Sequence, residues 1–179
     1  MKPKVTKKVL DILKRNQRGV KLDIGCGFAK QEGFVGLDNR KVAGVDIVHD
    51  AEKVPYPLPD ACCSVLLASH LVEHLKPWLM IDIFNEWWRL LQVGGQLLVS
   101  MPYGYSHGFL QDPTHCNACN ETTWTYFDPD YYLYQIYRPK PWKIERNVFQ
   151  AIGNMEVILS KRSEKYVGQF SKGGVGYGS

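Results

Sequence analysis

The chain of 179 residues has little excess charge, no long apolar run and no evident disulfide framework. Its formal net charge is only +4, and the lysines and arginines near its start fit a solvated helix face better than a nucleic-acid-binding surface. We find neither a secretory leader nor a membrane-spanning stretch. Its five cysteines are an odd number, which favours reduced thiols. We therefore expect a soluble, cytoplasmic protein with no membrane partner.

Apolar residues recur in two patterns that together predict an α/β domain. Val5, Val9, Ile12 and Leu13 follow helical spacing among lysines and predict an amphipathic helix over residues 4–17. Short apolar runs are typical of strands that are buried on both faces of a parallel sheet. Five such runs cover residues 20–24, 34–37, 45–48, 64–68 and 96–101.

The later part of the chain predicts how the sheet is completed. Residues 78–91 predict a helix that begins after Pro77 and is stopped by Gly94-Gly95, so a βαβ crossover reaches the fifth strand. Apolar runs at 142–149 and 155–160 predict an antiparallel hairpin at the sheet edge. The sequence therefore predicts a mostly parallel sheet of seven strands, with helices on both faces and a C-terminal hairpin.

The length of the chain fits one domain with a full core. We predict a single domain over residues 1–162, with an N-terminal helical segment at 1–19 and an insert at 102–120. Residues 163–179 end in a stretch that is too rich in glycine to hold one conformation, so we predict a flexible tail there.

The segment "LDIGCG" at residues 22–27 places two glycines directly after the first strand, where ligands of open α/β sheets bind. A dinucleotide site needs a third glycine and a helix whose N-terminus faces the pyrophosphate. Lys30 stands in place of that glycine, and residues 28–33 leave little room for the helix. A nucleoside without phosphates fits this loop better, and Asp38 supplies a carboxylate for its ribose hydroxyls.

Five stretches recur in the order of a known enzyme family. They are "LDIGCG", the acid in "GLD", "VDIVHDAEKVPYPLPD", "SVLLASHLVEHL" and "WRLLQVGGQLLVSMP", and they cover about residues 20–102. In this order they resemble the class I S-adenosylmethionine-dependent methyltransferases, particularly a compact form of the type 11-like branch. The resemblance implies a Rossmann-like fold, methyltransferase activity and S-adenosyl-L-methionine as cofactor.

The resemblance also implies how the cofactor is held. Gly25 and Gly27 would approach its methionine part, Asp38 would accept hydrogen bonds from the ribose, and Asp50 with Ala51 would meet the adenine edge. The implied cofactor-binding residues are Asp23, Gly25, Cys26, Gly27, Asp38, Asp50, Ala51, Ser69 and His70. Of these, Ser69 and His70 would lie at the end of the fourth strand, beside the transferring methyl group.

The stretch "HLVEH" at residues 70–74 allows a remote alternative, a zinc metallohydrolase. On a helix, His70 and His74 would bind the metal and Glu73 would act as general base. The stretch follows a strand directly and Pro77 comes soon after it, which leaves little helix for such a site. In the methyltransferase interpretation, Glu73 and His74 fix this turn by hydrogen bonds.

The insert "PYGYSHGFLQDPTHCNACN" follows the fifth strand, where methyltransferases of this class often build their acceptor pocket. We predict that Tyr103 and His107 contact the acceptor. If the acceptor must lose a proton, our candidates for the base are His115, Asp112 and His70, in that order.

Cys116-x-x-Cys119, with His107 and His115 nearby, is a second possible metal cluster. A single CxxC without a second pair is a weak signal, so we favour a polar loop that carries two reduced cysteines. We therefore assign no metal ligand.

The predicted activity is in-line transfer of a methyl group to an unidentified small acceptor. The chain lacks the Asn/Asp-Pro-Pro-aromatic run and the Pro-Cys pair typical of enzymes that methylate bases, which disfavours a nucleic-acid acceptor. Because no catalytic residue is secure, the alternative is a cofactor-binding partner or regulatory protein that transfers no methyl group.

Overall fold

In the computed structural model, which describes residues 5–150 and 152–172, seven strands form one sheet. The strands are β1 (Val20–Ile24), β2 (Val35–Asp38), β3 (Ile47–Val48), β4 (Cys63–Ser69), β5 (Leu91–Pro102), β6 (Trp142–Phe149) and β7 (Asn154–Lys161). Their order across the sheet is β3-β2-β1-β4-β5-β7-β6. Strands β1 to β5 pair in parallel, whereas β7 is antiparallel to both of its neighbours. The predicted mostly parallel sheet with a C-terminal hairpin is confirmed.

The helices are shorter than the sequence patterns predict. They are α1 (Lys7–Arg15), α2 (Met80–Leu90), α3 (His107–Leu110), α4 (Glu121–Thr125) and α5 (Tyr134–Tyr137). The predicted helix over 4–17 starts outside the described residues, and α1 begins after Thr6, whose hydroxyl accepts the Val9 N–H at 3.3 Å. Within the described part of the chain, no helix combines the length and the apolar character needed to cross a membrane.

Helix α2 connects β4 to β5 and packs one apolar face into the core. Its Ile83, Phe84, Trp87 and Leu90 are fully buried. The predicted helix over 78–91 divides into a 3-10 turn at Pro77–Leu79 and α2 itself.

Strand β5 begins earlier than expected, directly after α2. The glycine pair that we expected to stop the helix lies inside this strand. The pairing register with β4 shifts between Leu91 and Gln96, and Gly94 within this bulge has a φ of +76°, a conformation that favours glycine.

The links between the first four strands contain no helix. Buried or partly buried aspartates bind backbone amides within and beside these links instead. Asp23 accepts the Gln31 N–H at 2.8 Å, and Asp46 accepts the Gly36 N–H at 2.9 Å. The edge of the sheet at which β1 and β2 end is therefore bordered by loops alone.

The insert at 102–120 docks on the end of β4. The amides of Cys116 and Asn117 both donate to the Glu73 carbonyl oxygen, at 2.9 and 3.0 Å. The Asn117 side chain also donates to the carbonyl of Val72 at 3.1 Å. These bonds hold the insert against the 3-10 turn at Val72–His74.

The first part of the predicted tail contacts the domain. The Tyr166 hydroxyl donates to the Asp130 carboxylate at 2.8 Å, and the Gln169 side chain donates to the Asp130 carbonyl at 2.7 Å. Residues 173–179 of the predicted tail and residues 1–4 of the predicted domain lie outside the described residues. The domain boundaries and the flexibility of 163–179 therefore stay predictions.

A buried chain of hydrogen bonds connects α2 to the turn that follows β3. The Trp87 indole donates to the Tyr56 hydroxyl at 2.9 Å, and that hydroxyl donates to the Ala51 carbonyl at 2.8 Å. The Tyr56 amide donates to the Glu86 carboxylate at 2.7 Å. Because Tyr56 is fully buried, burial raises the pKa of its hydroxyl, which stays protonated as this chain requires.

We expect Tyr56→Phe to lower the free energy of unfolding by about 1–3 kcal/mol, because the Trp87 N–H and the Ala51 carbonyl each lose their partner in a dry environment. Urea denaturation of the purified variant measures this change. Tyr105→Phe is the matched control, since the Tyr105 side chain is 85% exposed. Equal stability of the two variants would contradict a structural role for the Tyr56 hydroxyl.

Candidate active site

A cleft of about 640 Å³ opens where β1, β2 and β4 end. It is lined by the residues that follow these strands and by the turn after β3, a position at which open α/β sheets bind ligands. The predicted site residues that line it are Gly25, Asp38, Asp50, Ala51 and His70. The other predicted site residues, Asp23, Cys26, Gly27, Ser69, Tyr103, His107, Asp112 and His115, are not part of its lining.

The glycine loop after β1 offers bare backbone to the cleft. Gly25 has a φ of +73°, and a side chain there would place its first carbon 2.9 Å from Leu71 Cδ1. Gly27 has a φ of +51°, and its amide donates to Asp38 Oδ2 at 2.9 Å. The positive φ therefore favours glycine at residue 25, whereas the end of the flexible Leu71 side chain can shift.

Asp38 ends β2, and its carboxylate is the most heavily bonded group of the cleft. Besides the Gly27 amide, it accepts the Arg40 amide at 2.9 Å and the Arg40 Nε–H at 3.1 Å, both at Oδ1. A carboxylate has about four acceptor positions, so capacity remains for a ligand hydroxyl. The Arg40 guanidinium, which also stacks over the Phe28 ring at 5.4 Å, borders this position.

Asp38 is ionised at neutral pH despite its burial. Burial is the largest influence on its pKa and raises it, but the hydrogen bonds from the Arg40 side chain, the Arg40 amide and the Gly27 amide together lower the pKa below its ordinary value. The cleft therefore presents a charged acceptor throughout the physiological range.

The turn after β3 forms the far end of the cleft. The Asp50 side chain accepts the Glu52 amide at 3.0 Å, and the buried Tyr56 holds the Ala51 carbonyl. The His49 amide donates to the Asp38 carbonyl at 2.9 Å, which fixes this turn relative to β2.

Two predicted cofactor-binding residues have side chains buried behind the loop. Asp23 is 4% exposed, accepts the Gln31 amide, and has a pKa that burial raises. Cys26 is also buried, and burial raises the pKa of its thiol to about 11. These side chains shape the loop from inside and do not reach the cleft.

The "HLVEH" stretch forms an unusual turn. His70 has a φ of +50°, which is rare for a residue with a side chain, and its amide donates to the Ser100 carbonyl at 2.8 Å. His70 Nδ1 lies 3.2 Å from Glu73 Oε1, and Glu73 is fully buried. Only Val72–His74 are helical, as a 3-10 turn, so the helix that a metallohydrolase site of this pattern requires is missing from this described stretch.

The insert brings His115 to this turn. The His115 ring lies 4.7 Å from the His74 ring, centre to centre, and its Nδ1 lies 2.9 Å from the Phe109 carbonyl oxygen. Asp112 accepts the Thr114 hydroxyl at 2.7 Å and the Thr114 amide at 2.8 Å, and these bonds lower the pKa of its carboxyl. The sequence analysis treated the "HLVEH" stretch and the insert separately and did not predict that His74 and His115 are in contact.

The predicted acceptor contacts lie in the first part of the insert, outside the lining of the cleft. Tyr103 packs on Phe149 at 4.7 Å between ring centres, and His107 is the exposed first residue of α3. Cys116 lines the cleft, whereas Cys119 is buried. All five cysteines are free thiols.

Sequence reasoning missed several residues of the cleft. Arg40 lies two positions after Asp38, where its side chain returns to the carboxylate, and this short spacing was the available signal. Lys76 and Glu52 form an ion pair at the rim, and the Lys76 amide also donates to Glu52 at 2.9 Å. Nothing in the sequence marks that pair, because 24 positions separate its members.

Comparison with known proteins gives one relative in sequence and several in fold. No protein-family model matches the chain. A probable S-adenosylmethionine-dependent methyltransferase of Mycolicibacterium smegmatis is 30% identical in an alignment of 97 residues, and the match covers 45% of this chain and 37% of that protein. The chain thus matches well under half of this relative's length.

Two solved structures illustrate the likeness in fold. A SAM-dependent methyltransferase from Archaeoglobus fulgidus gives a TM-score of 0.59 at 19% identity, covering 85% of this chain and 94% of that one. A putative type 11 methyltransferase from Sulfolobus solfataricus gives a TM-score of 0.56 at 14% identity, covering 87% and 90%. The expected resemblance is confirmed, and the chain has the fold of the class I S-adenosylmethionine-dependent methyltransferases.

Proposed function

We propose that this chain transfers a methyl group from S-adenosyl-L-methionine to a small acceptor. The observation that carries the proposal is the cleft itself, in which four loops assemble a bare glycine backbone, the ionised Asp38, the Asp50-Ala51 turn and His70. The relative from M. smegmatis and the shared fold support the same activity.

The residues of the cleft fit this cofactor better than they fit a dinucleotide. Ligand pockets commonly enclose about 300–1,000 Å³, and the cleft of about 640 Å³ lies within this range. The link from Gly25 to β2 contains no helix whose N-terminus could bind phosphates. Asp38 offers an anionic acceptor that suits ribose hydroxyls, so the missing helix is what disfavours a dinucleotide.

Each part of the cleft has a task in this proposal. Gly25 approaches the methionine end of the cofactor, Asp38 binds the ribose, and Asp50 with Ala51 meets the adenine. The hydrogen bond from Tyr56 to the Ala51 carbonyl holds the adenine end in place. The acceptor then enters beside His70 and the docked insert.

The cofactor supplies an activated methyl group, so the protein chiefly has to align the acceptor and exclude water. Of the three predicted bases, His70 alone lines the cleft. Because its Nδ1 faces Glu73, its Nε2 is the atom that would take a proton from the acceptor. The strained backbone of His70 is consistent with a functional position.

We expect Asp38→Ala to weaken the binding of S-adenosylhomocysteine by roughly 1.5–3 kcal/mol, because the charged acceptor for the ribose is lost. Titration calorimetry measures the affinity, and circular dichroism checks that the variant is folded. Glu32→Ala, which removes an exposed carboxylate from the same loop, serves as the matched control. Unchanged affinity in folded Asp38→Ala would place the cofactor elsewhere.

The lowered pKa of Asp38 predicts how affinity depends on pH. The ionised carboxylate contributes above its ordinary pKa, and the contribution is lost only as the pH falls through the lowered value. We therefore expect the affinity ratio between the wild type and Asp38→Asn to stay constant from pH 8 down to about pH 5. Arg40→Ala removes one of the bonds that lower the pKa, so in that background the ratio should begin to fall at higher pH. A ratio that reaches one near neutral pH would contradict this assignment.

If His70 removes a proton, His70→Gln should lower turnover by about a hundredfold or more while S-adenosylhomocysteine binds nearly as before. The acceptor is first identified by screening sugars, small metabolites and peptides for cofactor-dependent methylation. If His70 only holds the turn, its replacement should lower the melting temperature, the turnover and the affinity for S-adenosylhomocysteine together. Full turnover in stable variants of His70, Asp112 and His115 alike would leave alignment as the whole mechanism.

A further inference from the structure

We propose that Glu73, His74 and His115 form a binding site for a divalent transition-metal cation of the zinc type, at the wall of the cleft. Within the described residues, this is the group of three possible ligands whose atoms all lie within 4.8 Å of one another. It combines the "HLVEH" turn with the insert, which neither stretch reveals by itself.

The buried carboxylate of Glu73 is the first observation that points to a cation. Glu73 is fully buried, and neither of its side-chain oxygens receives a hydrogen bond. His70 Nδ1 approaches Oε1 at 3.2 Å without the geometry of a hydrogen bond. A buried carboxylate without donors is unfavourable unless a positive charge accompanies it.

The two histidines are oriented as metal ligands usually are. His115 Nδ1 faces the Phe109 carbonyl at 2.9 Å, which can only accept, so Nδ1 carries the proton and Nε2 keeps its lone pair. His74 Nδ1 lies 3.0 Å from the Thr114 hydroxyl, which donates its own proton to Asp112. His74 therefore also donates from Nδ1 and keeps the Nε2 lone pair. Metal-binding histidines typically donate their second ring N–H in this way.

The distances place the three ligands near enough for an ion to draw them together by local side-chain movement. In a tetrahedral zinc site, two ligand atoms that each lie about 2.1 Å from the cation are about 3.4 Å apart. Closing the widest separation of 4.8 Å to this value needs a movement of about 1.4 Å, and the exposed His74 ring is the ligand with the most room to move. A fourth group, Asp112, has its Oδ2 3.8 Å from His115 Nε2 and would add to the negative charge around the ion.

The donor set selects the class of cation. Two imidazoles and one carboxylate suit zinc and its neighbours, whereas magnesium prefers oxygen ligands alone. Three protein ligands leave a position open, as in catalytic zinc sites. Since His74 also lines the cleft, that position is next to the acceptor space.

This placement indicates the class of acceptor, an inference that rests on the proposed function. A hydroxyl at the open position loses its proton more readily, because the positive charge stabilises the oxyanion. His70 Nε2 would take the proton of the hydroxyl, the oxygen would form its bond to the methyl carbon of the cofactor, and the electron pair of the broken carbon–sulfur bond would stay on sulfur. The acceptor would therefore be a hydroxyl compound, and the products are its methyl ether and S-adenosylhomocysteine.

Zinc binding tests the site independently of methyl transfer. Calorimetric titration of the metal-free full chain should show one tight Zn²⁺ per chain and no comparable binding of Mg²⁺. Glu73→Gln and His115→Gln should each weaken Zn²⁺ binding by about a hundredfold or more, and Thr114→Val, which removes the partner of His74, by about ten- to a hundredfold. His107→Ala and Cys116→Ser are the matched controls from the same insert and should bind Zn²⁺ like the wild type.

Melting temperatures distinguish a metal ligand from a residue that only holds the turn. Without metal, Glu73→Gln should melt close to the wild type, because the amide has the shape of the carboxyl group and no hydrogen bond to the Glu73 side chain is lost. With Zn²⁺, the wild type should gain stability and Glu73→Gln should not. A variant that melts lower with and without Zn²⁺ would show instead that Glu73 pairs with His70.

The proposal is overturned if the wild type binds no Zn²⁺, if the ligand variants bind it normally, or if Cys116→Ser alone abolishes binding. The affinity for S-adenosylhomocysteine is measured in the same samples. Zinc binding without cofactor binding would contradict the proposed function and leave the metal site standing. Cofactor binding without zinc binding would overturn the metal site and leave the proposed function standing.

Discussion

The loop between β1 and β2 depends on carboxylates that accept backbone N–H groups, and the cleft depends on that loop. A helix would satisfy its own amides, but the link from Gly25 to Phe34 contains none. Asp23 accepts the amide of Gln31, Asp38 that of Gly27, and Asp46 that of Gly36 at the start of the second strand. Two of these aspartates are more than nine-tenths buried, so each amide bond replaces water that the carboxylate has lost. A short connection thereby becomes rigid enough to border a ligand site.

Asp38 has two roles, in the loop and in the cleft, and the same hydrogen bond serves both. Its bond to Gly27 fixes the loop, and the same bond helps to keep its pKa low, so that the carboxylate remains charged toward the cleft. Arg40 contacts Asp38 from the exposed side and helps to keep its carboxylate ionised. The Arg40 side chain itself is 56% exposed and does not cover the carboxylate. Structure and binding cannot be separated at this residue, and for that reason affinity is best compared against the isosteric asparagine rather than alanine alone.

Local patterns predicted the sheet well, because buried strands carry their own hydrophobic signal. The bounds of β1 and β6 agree with the sequence prediction, and the glycine loop, Asp38 and the Asp50-Ala51 turn all meet in the cleft. The start of β5 was wrong, since a bulge lets Gly94 sit inside a strand where the sequence suggested a stop. The contact of His115 with His74 was beyond sequence reasoning for a different reason. It arises from two amides that bind one carbonyl of Glu73, and backbone bonds of this kind leave no signature in residue types.

Glu73 connects the turn that follows β4 to the docked insert, and it does so through two different groups of atoms. Its carbonyl oxygen holds the insert by accepting the amides of Cys116 and Asn117, while its buried carboxylate faces His74 and His115. In the proposed site, a cation would bind a ligand from the turn and a ligand from the insert at once, so it would favour the docked insert over any undocked arrangement. By the reciprocity of linked equilibria, docking of the insert would strengthen cation binding to the same extent. The acceptor side of the cleft would then be complete only when the cation is bound and the insert is docked. Glu73 would be the residue that couples these two events.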